Sequence, residues 1–159
     1  MKIKSGIVAI AIAAATLLPA INAQAQENEI TDENTWLLYG YSTASTANIY
    51  NSFLALSYLA NTATTADSTG DLHTVIKSVE DMAAMFVAAN DSIIVRVSLS
   101  PSDKGYLLYF SQLGRLIAQT ADLLDKYNIS RKTEDYRKYS EKYNELYHKM
   151  EAIYFKDDK

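Results

Sequence analysis

The chain has no cysteine, which excludes a disulfide framework, a thiolate metal site and a cysteine nucleophile. Its five glycines, at positions 6, 40, 70, 105 and 114, never cluster. A phosphate-cradling loop needs several close backbone N–H groups, so that chemistry is excluded too. Only two histidines are present, with no Gly-x-Ser-x-Gly elbow and no haem-attachment motif. Adjacent acids such as Glu80-Asp81, Glu134-Asp135 and Asp157-Asp158 diverge by about 100° on a helix, so they read as surface charge, not as paired catalytic carboxylates. The expectation is a protein that is not an enzyme and carries no cofactor.

The most informative absence is local. From Asn34 to Ala66 the chain contains no Asp, Glu, Lys or Arg, and its polar groups are Ser, Thr, Asn and Tyr alone. A surface helix normally carries a charged outer face, so a charge-free one is expected to be covered on more than its core side. Long apolar runs are also missing after the first 25 residues, so no later stretch is expected to cross a membrane.

Those first residues have the layout of a secretory leader. Lys2 and Lys4 form a basic start, Ile7 to Leu18 an apolar run, and Ala23-Gln24-Ala25 a small-x-small cleavage site. Cleavage after Ala25 predicts a secreted or periplasmic chain beginning at Gln26. The absence of cysteine rules out a lipid anchor on that residue type, and no membrane insertion is expected after cleavage. Without Lys2 and Lys4, thirteen basic residues face nineteen acidic ones, a net charge of −6 that argues against nucleic acid as a partner. Residues 26–159 suit one domain that buries enough surface to fold without a metal or a staple.

Hydrophobic periodicity then places four helices, over about 34–61, 71–99, 101–128 and 131–155. The second carries Leu72, Ile76, Val79, Ala83, Phe86, Asn90, Ile93 and Val97 in alternating steps of four and three residues. The third repeats this with Tyr106, Phe110, Leu113, Ile117, Thr120, Leu124 and Tyr127. The fourth follows with Tyr136, Tyr139, Tyr143, Leu146, Met150 and Ile153. Ser100-Pro101-Ser102-Asp103 is a helix start, with Ser as cap and Pro in the first turn. The first helix is weakest from Gly40 to Asn48, where Gly, Ser, Thr and Asn dominate. Asn61 to Gly70 reads as a loop. The predicted fold is all-α: an antiparallel up-down-up-down four-helix bundle over residues 26–159, after the leader at 1–25.

The third and fourth helices carry ordinary wet faces, with favourable pairs expected at Asp122–Lys126, Glu134–Lys138 and Glu145–Lys149. The second starts that way too, with Lys77, Glu80 and Asp81, but Met82 to Ala89 is apolar all round, so the first two helices share a deficit of outward charge. A protein partner or a homodimer is therefore expected on helices 1 and 2, at Ser45, Ser52, Leu56, Leu59, Ala84 and Ala88. The implied function is a non-catalytic interaction module of the inhibitor, immunity, adaptor or assembly-subunit type. Twelve tyrosines supply the alternative, a small-ligand-binding bundle with a groove lined by Tyr106, Tyr136, Tyr139 and Tyr143. Glu145-Leu146-Tyr147-His148 has the Glu-x-x-His spacing of di-iron bundles, but Leu146 belongs to the core stripe and turns its neighbours outward, so metal is not expected. His73 is expected to be a satisfied histidine, not a ligand or base. Asn90 and Thr120, polar residues on two apolar stripes, are expected to pair and set register.

Overall fold

The computed structural model describes residues 32–65 and 70–154. The leader and its cleavage site lie outside these residues. Four helices account for nearly all of what is described: α1 (Asp32–Thr65), α2 (Gly70–Arg96), α3 (Pro101–Ser130) and α4 (Thr133–Tyr154). No strand occurs among the described residues.

The helix ends differ from the sequence expectation for identifiable reasons. α1 continues beyond Asn61 because the threonines there bond back into the helix. Thr62 donates to the carbonyl of Tyr58, and Thr64 and Thr65 donate to that of Asn61. Ala63 is fully buried, and the Arg131 guanidinium donates to its carbonyl, which ties the end of α1 to the α3–α4 turn. α2 stops at Arg96, short of residue 99, because Ser100 must be extended ahead of Pro101; its ψ is 154°. The Ser100 hydroxyl caps α3 by accepting from the Asp103 N–H at 3.1 Å and donating to its carboxylate at 2.6 Å. α3 runs on to Ser130 and ends on Arg131, the one non-glycine residue with positive φ among those described, at 55°. Lys132 supplies the first carbonyl of α4, to Asp135 and Tyr136. The Ser130 hydroxyl accepts from the Lys132 N–H and donates to Asp135.

α3 is the central element, packed against α1, α2 and α4, with its longest border on α2. Leu107, Phe110, Leu113, Ile117, Ala121 and Leu124 on α3 are all almost completely buried. The α2–α3 approach is close at Gly114, where a Cβ would lie 2.7 Å from Val87 Cγ2 and 3.1 Å from Phe86 Cδ1. Across this border His73 meets Asp125, while Asp91 meets Ser111 and Arg115, so the two helices run in opposite senses. Tyr109 meets Lys149 and Tyr127 meets Tyr136, which gives α3 and α4 opposite senses as well. Of the expected surface pairs, Asp122–Lys126 closes at 2.7 Å and Glu134–Lys138 at 3.7 Å. Glu145 instead pairs with Lys142 at 2.7 Å, and the Lys149 carbonyl accepts the Tyr109 hydroxyl.

Candidate functional site

α1 must bury one face, and its period decides which. Tyr41, Ser45, Ile49, Ser52, Phe53, Leu56, Leu59 and Ala63 form the inner face. Four of the six expected partner-binding residues therefore point inward: Ser45 is 2% exposed, Ser52 6%, Leu56 0% and Leu59 5%. This corrects the expectation. Without charged residues to mark the wet side, polarity alone did not separate the two faces of α1. Ala84 and Ala88 are exposed, as an interface requires. The outer face of α1 is formed by Ala44, Ala47, Asn51, Leu54, Tyr58 and Asn61, with Leu54 46% and Tyr58 59% exposed. On α2, Val75 and Met85 are 37% and 61% exposed. Exposed apolar side chains thus occur on both helices; those of α1 lie on a stretch without charge, whereas α2 exposes Asp71 one turn before Val75 and Asp81 one turn before Met85.

A small polar cluster lies between the two helices. The Tyr41 hydroxyl donates to Asn90 Oδ1 at 2.6 Å, linking α1 to α2. Burial pushes the Tyr41 phenol up to about 12, while a hydrogen bond with Ser45 pulls the other way. Asn90 is fully buried and its Nδ2 has no hydrogen-bond partner among the described residues. Thr120 donates to its own helix, at the Leu116 carbonyl. Asn90 therefore pairs with Tyr41 and not with Thr120. Tyr41 belongs to the first helix, whose uncharged sequence held no periodic cue to its partner.

The aromatic candidates divide. Tyr136, Tyr139 and Tyr143 form a ladder along α4, with ring centroids 6.0 and 5.8 Å apart. Tyr127 extends it at one end, at 5.1 Å from Tyr136. Phe53 of α1 stacks on Tyr143 at 5.3 Å and also contacts Tyr147 at 6.2 Å. Ser57 donates to the Phe53 carbonyl, so the Tyr143 hydroxyl is the donor in its 2.5 Å bond to Ser57. Tyr139 is 4% exposed, and burial, with Tyr143 and Tyr136 beside it, holds its phenol well above the ordinary value. Tyr106 stands apart at the start of α3, edge-on to Phe110 at 4.6 Å. Phe53, Ser57, Tyr127 and Tyr147 were missing from the expected groove. Tyr127 and Tyr147 could have been found from the stripes of α3 and α4, whereas Phe53 and Ser57 needed the α1–α4 contact.

His73 donates from Nδ1 to both carboxylate oxygens of Asp125, at 2.8 and 2.9 Å. The ring nitrogen must carry the proton, because the carboxylate has none to give. His148 lies beside Glu151 at 3.4 Å on the outside of α4. Among the described residues no three His, Cys, Asp or Glu side chains group as metal ligands, and no helix is long and apolar enough to cross a membrane. No family model, curated protein or solved structure matches the chain.

Proposed function

We propose that this protein is a non-catalytic helical interaction module that binds a protein partner, or a second copy, through α1 and α2. The observation that carries the reading is the exposure of Leu54 and Tyr58 on the charge-free stretch of α1, with Met85 exposed on α2, on a chain whose last two helices are densely charged. The proposal includes the leader, cleaved after Ala25, a secreted or periplasmic location, and an up-down-up-down order for the four helices. N-terminal sequencing of the exported chain should begin at Gln26. A pull-down from the native envelope fraction should recover a partner, and Leu54→Glu or Met85→Glu should lose it while the fold persists. Retention of the partner by both variants would rule the face out. Ser45→Glu is not a useful probe, because Ser45 lies in the core and a charge there would report on folding.

A second reading rests on the aromatic ladder: a ligand seated between α1 and α4 against Tyr136, Tyr143 and Phe53. It expects a ligand-dependent rise in melting temperature that Tyr143→Ala removes. Self-packing of those rings is the simpler account, since Tyr139 at the centre of the ladder is almost fully buried.

A further inference from the structure

The tyrosine ladder ends in two rings that face each other across the α3–α4 turn. Tyr127, in the last turn of α3, and Tyr136, in the first turn of α4, set their planes at 60° with centroids 5.1 Å apart. The backbones of both residues take part in the bonds that close this turn. The Tyr127 carbonyl accepts from the Arg131 N–H at 2.8 Å, and the Tyr136 N–H donates to the Lys132 carbonyl at 3.1 Å. Between them Ser130 donates to the Asp135 carboxylate at 2.5 Å, and Arg131 takes the left-handed conformation that lets the chain reverse. The two phenols are thus held side by side by the fold, and the encounter of one ring with the other needs no further ordering.

Access and competition single out the same pair. Tyr136 is 41% exposed, so a dissolved oxidant reaches its ring and water can take its proton. The two other gaps in the ladder are wider, at 6.0 and 5.8 Å, and both involve Tyr139, which is 4% exposed. The chain has no cysteine, so no thiol takes the oxidising equivalent first, and its twelve tyrosines face a single tryptophan. Crossed ring planes also suit the product, because two phenols joined at ring carbons twist out of a common plane to separate their oxygens.

We propose that the α3–α4 turn is a site of oxidative cross-linking, at which a one-electron oxidant couples Tyr127 to Tyr136. Each phenol gives one electron to the oxidant and its hydroxyl proton to water, leaving a radical whose spin spreads to the ring carbons ortho to oxygen. The two radicals pair in a carbon–carbon bond between ortho carbons. The hydrogen on each joined carbon then passes through water to the ring oxygen, which restores both phenols. The net change is the loss of two electrons and two protons and the gain of one bond.

The test oxidises protein purified from cells expressing the full-length chain, with a ruthenium(III) polypyridyl complex generated by light as the oxidant. Trypsin cuts after Lys126, Arg131, Lys132 and Arg137, so Tyr127 and Tyr136 leave on separate peptides, residues 127–131 and 133–137. The oxidised monomer should yield these two peptides joined, at their summed mass less two hydrogens, with the blue fluorescence of coupled phenols. Tyr136→Phe, which keeps the ring, should lose that species, and Tyr139→Phe should retain it. Should either variant fail to fold by circular dichroism, the peptide map of the wild type decides alone. Oxidation in denaturing urea should lower the yield, because the turn no longer holds the rings together. Coupling only at another pair, coupling only between chains, or a yield undiminished in urea overturns the proposal.

Discussion

Tyr41 and Asn90 form a buried polar contact between α1 and α2. The Tyr41 hydroxyl has its acceptor, but the Asn90 amide has one group paired and one not, so the cluster is costly to disturb and specific in register. Tyr41→Phe leaves Asn90 without its bond and should lower stability by about 1–3 kcal/mol in urea unfolding at neutral pH. The same residue makes stability depend on alkaline pH. A phenol near 10 in the unfolded chain and about 12 in the folded one keeps its full contribution below pH 10. That contribution is lost as pH rises through the folded value, because above 10 the unfolded chain releases a proton that the folded chain retains. Denaturation followed between pH 9 and 12 should show a falling midpoint, and Tyr41→Phe should flatten part of that fall. An unchanged slope would mean that Tyr41 is not held out of water.

At the scale of the element, two glycines on α3 make opposite predictions. Gly105 has open space where a Cβ would stand, so Gly105→Ala should raise stability by about 0.5–1 kcal/mol through backbone entropy. Gly114 faces Val87 and Phe86 at sub-van-der-Waals distance from a Cβ, and the β-branched valine has little freedom to turn away. Gly114→Ala should therefore lower stability by about 1–3 kcal/mol, measured as a shift in urea midpoint at constant m-value. The helices themselves were legible where hydrophobic spacing was regular. The buried residues of α2, Leu72, Ile76, Val79, Ala83, Phe86, Asn90 and Ile93, are those that the spacing predicted. In α1 the spacing was obscured, because apolar residues occur all round its second half. The Thr-rich end of α1 read as a loop because propensity favours one there, and threonine back-bonds with the Arg131 contact overrode it.

At the scale of the molecule, α3 touches each of the other helices, whereas from Gly40 to Asn48 of α1 only Tyr41 and Ser45 are buried. Hydrogen exchange should accordingly find the central amides of α3 opening only with global unfolding, and those from Gly40 to Asn48 opening earlier through local fraying. Equal protection in the two segments would contradict this hierarchy. The exposed ion pairs of α4, including Arg137 with Glu134, should add little to it, since such pairs are screened by water and salt.

The sequence by itself determined the four helices of the described residues, the start of α3 at Ser100-Pro101, the core stripe of α2 and most of that of α3, where Tyr106 is exposed and Leu107 buried in its place. These follow from local rules: residue period, caps and the restriction that proline imposes on its neighbour. Only the tertiary structure decided which side of α1 is buried, that Asn90 bonds Tyr41, and that Phe53 joins the tyrosines of α4. Each of these depends on which helix lies beside which, and a charge-free helix contains no local mark of its wet side. The uncharged stretch that stood out in the sequence therefore holds two faces, one spent on the core and one, through Leu54 and Tyr58, still open.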